Sequence, residues 1–375
     1  MKTITIVSSV SIAEPVVYNR LNPFFTQLNA NNFKVFFICP KNEKNIEKIP
    51  KYVDLIEVDI DSLKPKSFIK RAIYEFKDVR RLLKLAKAIQ SEKYILTMPS
   101  MFLSFLAPIY LKKENVFLDV RDLTWEYLSN KNFIQILSKK IFSFWFKSSV
   151  SFFKSISVTN ESEFEYIKKI YKKEIFLVTN GIGKTQYEKL IKVKKSSNKD
   201  FSTIVYIGNV GLAQNLETLI YVAKQLPKNK FIIVGTGIDF ERIKKLVNEL
   251  NLKNVTLTGR VDWEDVYNYY NEADILYAQL TPEYSIAMPS KLYEYLSTGK
   301  YIIYGGEKQA VDKLSEFSNY KNISSNNEEE LKNSILEFDN KIIYKEINLE
   351  NRKIIKDKYI REDAIDNFIK YLNNI

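Results

Sequence analysis

The feature that most constrains this chain is the regular alternation of short, continuous apolar runs with helical patterns along almost all of its 375 residues. In the second half, 202–207, 230–234, 255–258, 275–279 and 301–304 read as strands, with helices expected over 216–226, 240–250, 263–271 and 289–298. The first half repeats the theme, with strands at 4–7, 34–39, 53–58, 94–97, 116–120, 156–159 and 175–179. Strands that are apolar on both faces and separated by helices predict a parallel sheet covered on both sides. Ligands of open α/β sheets bind beyond the carboxyl ends of the strands. The loops after residues 207, 234, 258 and 279 are therefore expected to share one rim.

The length suits two domains, each large enough for its own core, with a hinge expected near 178–183 and an exposed loop at 192–200. The mixed-charge segment over about 352–373 reads as one terminal helix. The single cysteine, Cys39, allows no disulfide within the chain, which fits a reducing compartment. There is no histidine, which excludes His-based zinc sites and Ser-His-Asp triads. No apolar run reaches the roughly 18 residues of a membrane span. The opening residues read as a buried strand and not as a signal peptide.

Charge is unevenly spread. Residues 1–175 hold 29 Lys and Arg against 18 Asp and Glu, whereas the remainder is nearly balanced. Such an imbalance calls for an anionic partner. Two segments carry it. In 66–89, Ile69, Ala72, Ile73, Phe76, Val79, Leu83 and Ala86 follow helical spacing among eight basic side chains. In 131–154, the run from Ile141 to Phe146 is flanked by Lys131, Lys139, Lys140, Lys147 and Lys154. Basic amphipathic helices with Trp and Phe lie on anionic bilayers, so an anionic membrane surface is the expected partner. The bland alternative is a pair of surface helices with solvated lysines. No recognised nucleic-acid module is present, and nucleic acid is not expected as a partner.

The stretch Met288-Pro289-Ser290-Lys291-Leu292-Tyr293-Glu294-Tyr295-Leu296-Ser297-Thr298-Gly299 starts in a Pro-Ser turn, puts Leu292, Tyr295 and Leu296 on one face and stops at glycine. Its free N–H groups and Lys291 suit an anion, and Glu294, a turn on, suits hydroxyls. Phosphate and sugar hydroxyls together suggest a nucleotide sugar. An ordinary capped helix with a Lys–Glu i,i+3 pair is the competing reading.

Several motifs occur together and in order: Tyr206-Ile207-Gly208-Asn209-Val210-Gly211-Leu212-Ala213-Gln214-Asn215-Leu216, Val234-Gly235-Thr236-Gly237, Leu257-Thr258-Gly259-Arg260-Val261, and Pro289-Ser290-Lys291 through Glu294. As a set they resemble family 4 glycosyltransferases. Val178-Thr179-Asn180-Gly181-Ile182 is similar to the element that opens the C-terminal domain of that family. The stretch from Leu118 to Glu126 is similar to one in bacterial members that add amino sugars to surface polysaccharides. The resemblance implies an α/β fold of the GT-B type: two Rossmann-like domains facing across a cleft. By it, residues 1–177 form the acceptor domain, 178–351 the nucleotide-sugar domain, and 352–375 a C-terminal helix crossing back to the first.

What the resemblance implies about function is transfer of a hexosyl or N-acetylhexosaminyl group from a nucleotide-diphosphate sugar, UDP-linked by preference, with retention. The expected acceptor is lipid-linked or a polysaccharide, in bacterial surface-glycan synthesis. No metal or other cofactor is expected; the nucleotide sugar is a co-substrate. The expected location is cytoplasmic, peripheral on the inner face of the cytoplasmic membrane.

By the same resemblance Glu294 holds the ribose hydroxyls. Ser290 and Lys291 lie near the diphosphate and Arg260 lies beside the base. Asn209, Gly211, Gln214 and Gly235 belong to the donor-binding loops. The loop over 8–14, with Ser9 and Glu14, is expected to approach the donor, Ser9 as a donor-binding residue and Glu14, with Arg121, Glu283 and Ser285, toward the acceptor or sugar. Three positions depart from the pattern. The first Glu of the E-x7-E motif falls at Ile286, and the usual Arg and Lys that neutralise the diphosphate fall at Asn209 and Gln214. Lys291 is then the first candidate to stabilise the leaving group, and Asp122 is the expected substitute for the family's N-domain histidine. An epimerase of the same fold and an inactive binding protein are the alternatives.

Overall fold

A computed structural model describes residues 1–60, 67–121, 123, 125, 133–195, 200–285, 289–341 and 345–375. The chain divides into two units, one of Met1–Asn180 with Arg361–Ile375 and the other of Gly181–Ile360.

The first unit is built on seven strands: β1 Lys2–Ser8, β2 Phe33–Pro40, β3 Val53–Val58, β4 Lys93–Thr97, β5 Val116–Val120, β6 Ile156–Val158 and β7 Ile175–Leu177. Their order is β3-β2-β1-β4-β5-β6-β7, and every pairing is parallel. Side chains alternate between the faces of a strand. Ile4 and Ile6 of β1, Ile95 of β4 and Phe117 of β5 enter one cluster, while Val7, Leu96 and Leu118 enter another. This is why these central strands read as continuous apolar runs: neither face is wet. Helix Arg361–Asn374 completes one face, with Phe368 meeting Phe24, Phe117 and Phe176 at 5.3–6.2 Å between ring centres.

The second unit holds β8 Thr203–Ile207, β9 Lys230–Val234, β10 Val255–Gly259, β11 Ile275–Gln279, β12 Tyr301–Gly305 and β13 Tyr320–Ile323. Their order is β10-β9-β8-β11-β12-β13, again all parallel. Relative to the first strand of each unit, both sheets share the Rossmann order 3-2-1-4-5-6, to which the first adds β7 at its edge. The direction of winding reverses between β1 and β4, and between β8 and β11. That reversal is where such sheets open a crevice.

The segment 352–373, expected to be one helix, is divided between two: Leu349–Lys358 in the second unit and Arg361–Asn374 in the first. Tertiary packing overrides the helical pattern between them. The Tyr359 ring is held by Tyr293 and Phe317, and its hydroxyl donates to Glu316. The Tyr359 carbonyl accepts from Ile182 N at 2.8 Å. Gly181 lies so close to that carbonyl that a Cβ would stand 2.0 Å from its oxygen, so only glycine fits. Among the described residues no helix is long and apolar enough to cross a membrane.

Candidate functional site

The helix Lys291–Thr298 follows β11 and stands at the reversal point of the second sheet. Pro289 O and Ser290 O accept from Leu292 N and Tyr293 N, which closes the first turn. Ser290 itself is exposed and its hydroxyl makes no cap. Gly299 ends the helix at φ 70°, the left-handed conformation in which glycine carries no steric penalty. From Leu292 to Thr298 every residue is buried.

Tyr295 fixes this helix to the sheet. The β8–β11 pairing stops at Tyr206 beside Tyr277. Beyond it the Tyr295 hydroxyl accepts from Ile207 N at 2.8 Å and faces Ile207 O and Tyr277 O, each at 3.2 Å. One side chain thus satisfies the backbone groups freed where the strands part. Tyr295→Phe leaves the Ile207 N–H buried without a partner, an expected loss of about 1–3 kcal/mol. A fall in the thermal midpoint measures it; an unchanged midpoint shows that the hydroxyl is dispensable.

Glu294 is only 8% exposed. Both of its carboxylate oxygens lie 2.9 Å from Lys291 Nζ, and Oε2 also accepts from the Tyr270 hydroxyl at 2.9 Å. Burial, and then the Glu294 charge, push the Tyr270 phenol well above its ordinary value, so Tyr270 remains a donor. The i,i+3 ion pair is therefore present, but it is no solvated surface pair. A nearly buried carboxylate is held in place by two donors, and Oε1, with one of them, retains accepting capacity for a hydroxyl. Lys291, about a third exposed at its side chain, uses part of a three-donor ammonium on Glu294 and keeps the remainder for an anion.

The glycine loops lie on the same rim. After β8, Gly208 N donates to Val234 O and Val210 N to Thr236 O. Gly235 N in turn donates to Gly259 O, which stitches the ends of β8, β9 and β10 together. A Cβ on Gly235, at φ 139°, would stand 1.8 Å from Gly208 O, so the two loops meet backbone to backbone. Thr281 N donates to Ala213 O, and Gln279 Nε2 donates to Gln214 O and Asn215 O at 3.1 Å, which joins the loop after β11 to the same rim. Asn209 Nδ2 and Gln214 Oε1 approach to 3.5 Å, so the two uncharged residues pair with each other. Arg260 is exposed one residue beyond Gly259. Glu283 is exposed in the turn Pro282–Tyr284, whereas Ser285 is buried.

Ser9, Glu14 and Arg121 belong to the first unit, at the carboxyl ends of β1 and β5. Ser9 is half-buried. Glu14 is exposed where helix Pro15–Ala30 begins, and its side chain does not cap it. Arg121 Nη2 donates to Val16 O at 3.1 Å, which places it against that helix's first turn. The loop between them is held by Asn45, whose Oδ1 accepts from Ser11 Oγ and Ala13 N. Asp122 and Ile286 lie outside the described residues.

Tyr270, Gln279 and the role of the Tyr295 hydroxyl escape a reading of the sequence, because each acts on a residue distant in the chain. Asp119 carried a signal that the pattern alone could not interpret: a charge inside an apolar strand. It is fully buried and paired with Arg20 at 2.5 Å, and accepts from Thr97 and Ser157. Burial alone would raise its carboxyl; the Arg20 charge and hydrogen bond, the Ser157 hydroxyl and Arg121 hold it below its ordinary value. Among the described residues no three acidic or cysteine side chains cluster as a metal site would require.

Residues 188–347 match the sequence profile of the family described as glycosyl transferases group 1. An uncharacterized glycosyltransferase of Methanocaldococcus jannaschii is 24% identical over 212 residues, 54% of this chain and 53% of that protein. The match thus spans about half the length of that curated relative. HepE of Anabaena, solved in complex with UDP and glucose, superposes with a TM-score of 0.69 at 11% identity, covering 100% of both chains. WaaG, a glycosyltransferase involved in lipopolysaccharide biosynthesis, gives 0.67 at 13% identity, covering 98% of this chain and 99% of that one. The stretch that matches the profile contains the glycine loops, Lys291 and Glu294. Residues 188–347 therefore carry the signature of glycosyl transferases group 1, on a chain with the GT-B fold of two parallel-sheet Rossmann-like domains.

Proposed function

We propose that this protein is a retaining glycosyltransferase that takes a sugar from a nucleoside-diphosphate donor, UDP-linked by preference, and places it on a lipid-linked or polysaccharide acceptor in surface-glycan synthesis. The observation that carries this reading is the Tyr270–Glu294–Lys291 group at the reversal point of the second sheet, beside the close-packed glycine loops. A fixed carboxylate suits the ribose hydroxyls, and an ammonium on the first turn of a helix suits a diphosphate. The UDP bound by HepE and the role of WaaG support the choice of donor and pathway class.

In the reaction the acceptor oxygen forms a bond to the anomeric carbon on the face from which the diphosphate departs. The bond between that carbon and the phosphate oxygen breaks, and the acceptor's proton passes to the leaving phosphate. No strong protein base is needed, which suits a chain without histidine. Lys291 stabilises the charge that develops on the diphosphate, the task that Asn209 and Gln214 cannot perform. Asp122 and Arg121 serve the acceptor hydroxyl, and the basic first unit rests on an anionic membrane surface.

The test is release of nucleoside diphosphate from UDP-, GDP- and CDP-linked sugars, with and without a lipid-linked glycan extract. Acceptor-dependent release from one nucleotide class, with an α-linked product from an α-linked donor, is expected. Epimerisation or hydrolysis without acceptor would move the protein to a different reaction, and binding without turnover would make it a binding protein.

A further inference from the structure

The two basic segments meet in the first unit. Helices Phe68–Ile89, Met101–Tyr110 and Phe133–Ser149 enclose an apolar groove of about 330 Å³. Ile69, Ala72, Ile73 and Phe76 line it from one helix, and Ser138, Ile141, Phe142 and Trp145 from another, each row at i, i+3, i+4, i+7 spacing. Phe102 forms the floor, edge-on to both Phe76 and Phe142. In Phe68–Ile89 the later part of the apolar face, Val79, Leu82, Leu83 and Ala86, is fully buried. The earlier part is left open, with Ile69 55% and Ile73 49% exposed.

We propose that this groove takes a hydrocarbon chain of an anionic lipid, drawn from the membrane surface on which the first unit rests. The proposal rests on the membrane reading above and goes beyond it, because surface adsorption requires no cavity. Two observations choose the occupant. Ser138 and the Trp145 indole N–H are the polar side-chain groups among the lining residues, so a peptide backbone laid in the groove would leave most of its amides unsatisfied. The enclosing helices carry ten Lys or Arg against two acidic residues. A second copy of the same surface would be repelled, whereas an anionic headgroup is attracted. Lys70, Arg71, Lys77 and Lys140 are exposed on the helices that form the walls.

The full-length protein is mixed with phosphatidylglycerol vesicles brominated on the acyl chains, and with equivalent phosphatidylcholine vesicles. Tryptophan emission and co-sedimentation are both read. Expected are co-sedimentation with phosphatidylglycerol alone and quenching of emission, with the quenching lost in Trp145→Phe. Ala72→Trp/Trp145→Phe and Ala72→Leu fill the groove while keeping the basic surface; they are expected to sediment as before. With Trp145 intact, Ala72→Leu is expected to lose most of the Trp145 quenching. Sedimentation without Trp145 quenching overturns the groove proposal and leaves the membrane reading intact. Quenching that survives in Ala72→Leu assigns the contact to general insertion and also overturns it. Absence of sedimentation with phosphatidylglycerol overturns both.

Discussion

Arg20→Leu is expected to destabilise the first unit by about 3–5 kcal/mol, because it strands the Asp119 carboxylate in the core. Asp119 is 0% exposed and its strongest partner is the Arg20 guanidinium, which also donates to Val178 O. The double variant Arg20→Leu/Asp119→Leu is expected to recover much of the loss, since replacing a whole buried pair by apolar groups is far less costly than breaking it. The pH dependence supplies a second check. In the wild-type protein the folded Asp119 value lies below its ordinary 3.8. Its contribution to stability is therefore present above 3.8 and lost as pH falls through the lower folded value. In Arg20→Leu burial dominates and raises the carboxyl, so the variant is expected to regain stability as the pH falls toward the acid range. Thermal midpoints measured across that range distinguish the two. Equal midpoints for wild type and Arg20→Leu would show that the pair does not hold this unit together.

Glu294→Ala is expected to weaken donor binding by about 10–150-fold, the equivalent of the 1.5–3 kcal/mol carried by hydrogen bonds to a charged group. The variant removes the carboxylate on which Tyr270 and Lys291 converge. Lys291, about a third exposed, is re-solvated by water, while the buried Tyr270 hydroxyl loses its acceptor, so the fold is expected to persist at a somewhat lower thermal midpoint and donor affinity is the deciding readout. Glu294→Gln retains one carbonyl oxygen and is expected to fall between wild type and alanine. The sign of the change separates recognition from scaffolding. A purely structural Glu294 would lower the thermal midpoint in both variants while donor affinity in the folded fraction stayed the same.

Most of the architecture is legible because parallel sheets make strong local signals. The central strands appear as runs that are apolar on both faces, and the edge strands β3 and β10, although they carry Asp54, Glu57, Thr256 and Thr258, keep enough apolar residues to be read. β13, Tyr320-Lys321-Asn322-Ile323, lies at the sheet edge with Lys321 and Asn322 exposed, so it has no such run to show. The break at Tyr359 is invisible for the opposite reason: its cause is packing against Tyr293 and Phe317, distant in the chain.

The candidate site divides in the same way. Lys291 and Glu294 stand out because their i,i+3 spacing and the Pro-Ser turn are local. The glycines stand out because a close backbone approach demands them, as Gly235 against Gly208 illustrates. Tyr270 and Tyr295 give no such signal. In sequence each is one aromatic among 24 tyrosines, and its role depends on where a hydroxyl lands after folding. The apolar groove is legible as two amphipathic rows but not as a cavity, since only the fold brings the rows face to face.

The central claim is that the rim of the second unit binds a nucleoside-diphosphate sugar through Lys291 and Glu294. Calorimetric titration of the wild-type protein with UDP-, GDP- and CDP-linked sugars, repeated with Lys291→Ala and Glu294→Ala, tests it most directly. Saturable one-to-one binding of one nucleotide class, weakened in both folded variants, is the predicted result. No binding by folded wild-type protein, or binding that neither substitution changes, would contradict it.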